Sequence, residues 1–295
     1  MKKIVGLGAN VLDTLICCNS FPAEDTKQRA ASIKLSGGGP VGNALVVMSK
    51  LGICAEAIGA FANDSAGRFL TDDLEKHGVA INRCVMLDGK TSFTSYIIIS
   101  EESGTRTCVY DRGSVPDDEK NVAFDAIDNA DILHLDGNYM LSAISAARYA
   151  RQKGVKVSLD AGGAYSGIDQ LLPLVDILIP SAEFAMQLTG CNTPQSALLR
   201  LYELYSPEVL VVTDGARGGY YYKDGKANHY DSVKVNVLDT NGAGDTFHGA
   251  FVSAYATGES IEYCCRFASA VAAYKCAHMG ARNYELTMEI AKALI

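Results

Sequence analysis

The sequence predicts a three-layer α/β/α fold with a mostly parallel central sheet and a small β-sheet lid. Three observations lead there. Short apolar runs alternate with segments of helical spacing along most of the chain, the pattern of strands covered on both faces by crossover helices. Two early stretches, about 12–36 and 88–112, break that alternation and read together as a β appendage. The last third is helical. A chain of 295 residues fits one large α/β domain with appendages or two ordinary domains, and we read it as one unit over 1–295.

Lys3 to Ala9 reads as a first central strand running into a loop. After Gly37-Gly38-Gly39, the residues Ala44, Val47, Met48 and Leu51 fall at helical spacing, and Gly52 sits where a C-cap is expected. Cys54 to Ala60 reads as a strand. Phe69, Leu70 and Leu74 lie on a helix that His77-Gly78 ends. Phe93 to Ser100 and Thr107 to Tyr110 flank the turn signal Glu102-Ser103-Gly104 and read as a hairpin. Strands are expected at Asp131 to Leu135, Val155 to Leu159, Asp176 to Ile179 and Val209 to Thr213. Helices are expected at Leu141 to Gln152, from Pro180 to about Leu188, and over about Gln195 to Tyr205. Gly218 to Tyr222 begins a further β segment. Helices over about Ala243 to Ala256 and Ile261 to Ala277 close the pattern.

Composition narrows the function. Hydrophobic residues make up 48% and charged residues 20%, with a net charge of −8. An acidic chain gets no electrostatic help in approaching nucleic acid or anionic membrane, so neither is expected as a partner. No run of about 18 apolar residues is present, so no membrane span is expected. The nine cysteines include the adjacent pairs Cys17-Cys18 and Cys264-Cys265, and no Cys-x-x-Cys occurs. That usage points to reduced thiols and a cytoplasmic protein. Lys2-Lys3, an apolar run and Cys17 imitate a secretory signal, but Asn10 and Asp13 interrupt the run.

The most informative segment is Asp239-Thr240-Asn241-Gly242-Ala243-Gly244-Asp245-Thr246-Phe247-His248-Gly249-Ala250. Glycines precede an apolar, helix-patterned run. A helix N-terminus presents unpaired N–H groups and a partial positive charge, and small residues let an anion approach the backbone. Asp245 at its mouth can accept the proton of an attacking hydroxyl; a plain capping aspartate is the structural alternative. Gly6-x-Gly8 follows the first strand, but Val11 stands at the third glycine position, so a dinucleotide fingerprint is not indicated. No Gly-x-x-x-x-Gly-Lys-[Ser/Thr] occurs.

The segment resembles the second signature of the ribokinase-like, or PfkB-type, carbohydrate kinases. The resemblance implies that Asp245 is the catalytic base and that the backbone of Gly242, Ala243 and Gly244 forms the anion hole. Gly38-Gly39-Pro40-Val41-Gly42-Asn43 resembles the first signature of the family, which assigns Gly38, Gly39 and Asn43 to the sugar. Asn10-Val11-Leu12-Asp13 resembles the early Asn-x-x-Asp whose aspartate, here Asp13, holds sugar hydroxyls. Thr213-Asp214-Gly215-Ala216-Arg217-Gly218 resembles the turn along the nucleotide, so Thr213, Gly215 and Gly218, with Asp239 and Thr240, are expected on the ATP side. Mg²⁺ is expected with the ATP.

The family's metal-associated Asn-x-x-Glu is replaced here. In Pro180-Ser181-Ala182-Glu183-Phe184, Ser181 takes the asparagine position, Phe184 the glutamate position, and Glu183 is the adjacent acid, our candidate near the metal. This departure resembles the ketohexokinase/fructokinase branch, as does Ser103-Gly104-Thr105-Arg106-Thr107, so a ketohexose such as fructose is favoured as substrate. Arg106 is the candidate for a lid contact to substrate; Arg29 or Arg112 could also meet an anionic sugar. The resemblance further implies a K⁺ site built from Asp239 and a late loop near Gly280, and a homodimer formed through the lid. His248 is expected to be a buried, satisfied histidine; Asp136 and Asn138 could face the cleft or merely end a strand. A nucleoside kinase of the same fold and a non-catalytic sugar or nucleotide sensor are the competing functions.

Overall fold

The computed structural model describes residues 1–103, 105–163 and 165–295; Gly104, at the end of the expected hairpin turn, lies outside them. In chain order the elements are β1 (Lys3–Leu7), β2 (Val11–Cys18), β3 (Ser32–Gly38), α1 (Pro40–Lys50), β4 (Cys54–Ala62), α2 (Ser65–Lys76), β5 (Ala80–Leu87), β6 (Thr94–Ser100) and β7 (Arg106–Asp111). Then follow α3 (Phe124–Ile127), β8 (Ile132–Leu135), α4 (Met140–Gln152), β9 (Lys156–Ala161), α5 (Ile168–Leu171), β10 (Ile177–Pro180), α6 (Ala182–Thr189), α7 (Pro194–Tyr205) and β11 (Val209–Thr213). The antiparallel pair β12 (Gly219–Lys223) and β13 (Lys226–Tyr230) precedes α8 (Ala243–Ala256), α9 (Ile261–Cys276) and α10 (Met288–Lys292).

Among the described residues, nine strands form the main sheet in the order β13-β12-β11-β10-β9-β8-β1-β4-β5. From β11 to β5 every neighbouring pair is parallel. Parallel strands need crossovers, and the crossover helices cover both faces. The strands are apolar at successive positions for that reason. Ile4, Ile132 and Ile177 point to the layer of α1, α2, α8 and α9, whereas Val5, Leu133 and Leu178 point to the layer of α4, α6 and α7. Because these strands all run the same way, the residues that follow them collect on one edge, where open α/β sheets bind ligands.

The lid is a second sheet, β3-β2-β6-β7. It brings the two stretches singled out in the sequence together through the parallel pair β2–β6. Register fixes its faces. Asp13 pairs with Ser36 and Ser95, and Ser95 with Tyr110, so these four share one face. Thr14, Leu35, Tyr96 and Val109 share the other. Asp13, Ser36 and Ser95 are buried, while Leu35, Tyr96 and Val109 are 53%, 51% and 64% exposed. The inward face is thus polar around Asp13 and apolar farther along, at Leu15 and Ile97, while the outward face exposes apolar side chains.

The expected lid stretch 12–36 holds most of β2 and of β3. The structure also adds a strand that the sequence reading lacked. The run Ala80–Leu87 forms β5, an edge strand; its alternation breaks at Asn82 and Arg83, where the register with β4 slips by one residue between Ala80 and Arg83. Among the described residues no helix is long and apolar enough to cross a membrane.

Candidate active site

The site lies at the carboxyl edge of the main sheet, beneath the lid. β3 ends in Gly38, and α1 starts immediately after Gly39 with Pro40 in its first turn, where the fixed φ suits a helix start. A Cβ on Gly38 would fall 2.1 Å from Asp13 Oδ2, so only glycine lets this backbone lie against the carboxylate. Across the cleft, α8 begins after Gly242, whose φ of 76° is a left-handed conformation that glycine adopts without strain. Asn241 lies against Asp13, so the early aspartate and the glycine turn before α8 meet.

Asp13 accepts from Ser95 Oγ at 2.6 Å through Oδ1, and the Asn241 amide lies against the same carboxylate. Burial raises its carboxyl above the usual range, against the opposing pull of Ser95, Arg282, Asn241 and Arg106. Asn43, one turn into α1, donates from Nδ2 to Asp245 Oδ2 at 2.6 Å. The second oxygen of Asp245 is thus the one available to a substrate hydroxyl. Burial and the neighbouring Asp160 push the Asp245 carboxyl up to about 6, with Asn43 and His248 opposing.

Asn43 is less free than the sequence reading expected. Its Oδ1 accepts from Arg282 Nε at 2.7 Å, so the amide can only donate toward the cleft. Arg282 is the residue that sequence reasoning missed. It is fully buried and also donates to Gly38 O and to Asp73 Oδ2, each at 2.7 Å. It thereby links the end of β3, the first turn of α1, helix α2 and, through Asn43, Asp245. A lone arginine after a helix gave no signal beyond the neighbouring Gly280-Ala281.

Of the three amides expected in an anion hole, one is already used within the chain. The Ala243 N–H turns back to Thr240 O at 3.2 Å, whereas those of Gly242 and Gly244 have no partner among the described residues. Gly244 is exposed, and a Cβ there would meet open space. The first turn of α8 therefore offers an open, amide-lined face to an anion, which fits a phosphate.

Behind Asp245, one helical turn on, His248 is buried with Nε2 3.2 Å from Asp160 Oδ1. Burial would push Asp160 up, but the adjacent imidazole more than offsets this and holds it low. The expected satisfied histidine is half satisfied: His248 Nδ1 has no partner among the described residues. Beside it, His134 is held down to about 3 by burial and by His248, so it is neutral. Asp136 serves structure. Its carboxylate accepts from the backbone N–H of Ala9 at 2.8 Å and of Asn138 at 2.9 Å.

The expected nucleotide residues are scattered along the same edge. Thr213 ends β11 and bridges to Ser181, and the turn Gly215 to Gly218 is closed by Asp214 N–H to Gly218 O at 2.7 Å. Ser181 caps α6, accepting from Phe184 N at 3.2 Å, and Phe184 is buried in the core, out of reach of any metal. Glu183, in the first turn of α6, is exposed and is the acid in this segment that a solvated Mg²⁺ could meet. Thr240 is exposed. Arg106 is exposed at the start of β7, on the same lid face as Asp13 by register, and its charge reaches that carboxylate. Arg112 is tied to the body through Asn138 O at 2.7 Å. The K⁺ expectation does not fit. Asp239 and Gly280 do come together, with Gly280 N–H donating to Asp239 Oδ2 at 2.8 Å, but the ammonium of Lys275 already lies 3.5 Å from that oxygen.

Comparison with known proteins finds relatives that match nearly the whole chain. A ketohexokinase from Mus musculus is 27% identical over 292 residues, covering 95% of this chain and 97% of its own. A ribokinase from Haemophilus influenzae is 26% identical over 294 residues, covering 96% and 94%. The near-equal identities do not separate a ketohexokinase branch from a ribokinase one. A crystal structure from Agrobacterium tumefaciens, 27% identical, superposes with a TM-score of 0.93 over 99% of this chain and 97% of that one. The family model described as pfkB family carbohydrate kinase matches residues 1–288, and the chain belongs to that family.

Proposed function

We propose that this carbohydrate kinase transfers the γ-phosphoryl group of ATP to a sugar hydroxyl, with a ketohexose such as fructose as the favoured acceptor. The observation that carries the reading is the Asn43–Asp245 bond of 2.6 Å at the open N-terminus of α8. It places a raised-pKa carboxylate beside exposed backbone amides and opposite the lid aspartate.

In this reading Asp13 and the remaining N–H of Asn43 orient the sugar, with the backbone of Gly38 and Gly39 close against it. Asp245 accepts the proton of the attacking hydroxyl while the new O–P bond forms and the β–γ bridging O–P bond breaks, releasing ADP. The amides of Gly242 and Gly244, with the helix dipole behind them, stabilise charge on the moving group. Mg²⁺, when bound with ATP, would supply charge neutralisation to the phosphates, and Glu183 is the residue that would meet its hydration shell. Thr213, Gly215, Gly218 and Thr240 line the nucleotide, and Arg106 reaches over the sugar from the lid. The lid excludes water and so suppresses ATP hydrolysis. The ketohexose preference is supported by Ser181 and Glu183 in place of Asn-x-x-Glu.

The outward lid face supports a second element of the proposal, a homodimer through paired lids. Ile33, Leu35, Tyr96 and Val109 are all more than half exposed on one small sheet, an apolar surface that a lone sheet does not keep wet without cost. The free cysteines are in keeping with a reducing, cytoplasmic setting.

Four outcomes are expected. Asp245→Ala lowers kcat by about 10²–10⁴-fold, the usual size of a general-base contribution, while sugar binding measured calorimetrically survives; equal turnover would remove Asp245 from the mechanism. Because Asp245 must be ionised to act, kcat/KM of the wild type falls about tenfold per pH unit below about 6 and is level above it, a limb that Asp245→Ala abolishes. A coupled ADP-release assay with fructose, ribose, 2-keto-3-deoxygluconate and adenosine gives the highest kcat/KM with fructose; a preference for adenosine identifies a nucleoside kinase, and no turnover with any of them favours a sensor. Light scattering gives a dimer for the wild type and a monomer for Leu35→Asp/Val109→Asp.

A further inference from the structure

A lysine is buried directly behind the phosphate-facing turn. Lys275, in the last turn of α9, has a fully buried side chain whose Nζ donates to Asp239 O at 2.7 Å and lies 3.5 Å from Asp239 Oδ2. Asp239 is itself the junction of two loops. Its Oδ1 accepts the N–H of Asn241 and its Oδ2 the N–H of Gly280, each at 2.8 Å. Its own N–H, with that of Leu238, bonds to Cys276 O at the end of α9. One ammonium thus sits against two oxygens of Asp239, the residue that joins the turn leading into α8 to the loop that carries Arg282.

A buried carbonyl and carboxylate oxygen are also the kind of ligands that a monovalent cation would take here. The position is already filled by a unit positive charge that the chain carries. A second cation drawn to Asp239 Oδ2 would face the ammonium a few ångströms away in a buried setting, where like charges repel strongly. We infer that Lys275 supplies from within the chain the fixed positive charge that holds the turn before α8, so that nucleotide binding by this kinase needs no K⁺ or other monovalent cation. The inference rests on the kinase reading of that turn. Lys275 acts through Asp239 and is a positioning residue.

The test uses the full chain and the non-hydrolysable Mg²⁺·AMP-PNP, in KCl and in tetramethylammonium chloride at equal ionic strength. For the wild type, AMP-PNP affinity by calorimetry agrees between the two salts within about twofold, and Tm in the absence of nucleotide within about 1 °C, because no ion is linked to the folded state. K⁺ that tightens AMP-PNP about tenfold, or raises Tm by several degrees, overturns the inference. Lys275→Met leaves Asp239 buried without its counter-charge and lowers Tm by about 5–10 °C with weakened AMP-PNP binding; a Lys275→Met protein matching the wild type in both also overturns it. If that variant fails to fold, the wild-type salt comparison still decides. Absence of AMP-PNP binding in either salt counts against the nucleotide site, and the Tm comparison then tests the cation alone.

Discussion

A guanidinium with no solvent contact holds the two halves of the cleft together. Burying a charge is unfavourable unless it is paired and its donors are used. Arg282 meets that condition through Asp73, Asn43 and Gly38, three groups from three different elements. Because its Nε claims Asn43 Oδ1, the amide of Asn43 has one orientation left, with Nδ2 toward Asp245. A lysine could not hold the same three acceptors in one plane. The loop that carries Arg282 is pinned in turn by Lys50, which donates to the carbonyls of Arg282 and Tyr284 at 2.6 and 2.5 Å. The placement of Asp245 is therefore a property of helices α1, α2 and α8 and the loop after α9 taken together.

The cleft is also a concentration of carboxylates. Asp13, Asp136, Asp160 and Asp245 converge from a lid strand, the loop after β8, strand β9 and a helix. Burial first, then repulsion from Asp160 and Asp136, pushes Asp245 up to about 6, near neutrality yet still ionised at physiological pH. That suits a base, whose efficiency peaks when its pKa lies near the working pH. On the proposed function it also poses a difficulty, since a triphosphate would enter the same cleft of a chain with net charge −8. The opposing charge is local: the amides and dipole of α8, with Arg282 and Lys275 buried behind them.

The lid shows how register converts a sequence into a two-sided surface. Alternation along β2 and β6 places Asp13 and Ser95 inward and Thr14 and Tyr96 outward. A slip of one residue would exchange the two faces. The same alternation makes the inward face around Asp13 polar enough for a hydroxylated ligand.

The parallel sheet, its helices and the glycine turn before α8 were legible in the chain alone, because apolar periodicity and glycine placement are local properties. So was the lid's approximate extent, as a break in that periodicity. Lys275 was legible only in part: it lies on the face of α9 that carries Ala268 and Val271, a charge where the helix is otherwise apolar, but its partner Asp239 is distant in sequence. Strand β5 escaped because a register irregularity opposite β4 interrupts its alternation. Arg282 and the loss of Asn43's acceptor escaped altogether. Both depend on groups from separate elements meeting at hydrogen-bond distance, and the spacing of residues along one chain carries no record of which distant donors and acceptors the packed helices will bring face to face.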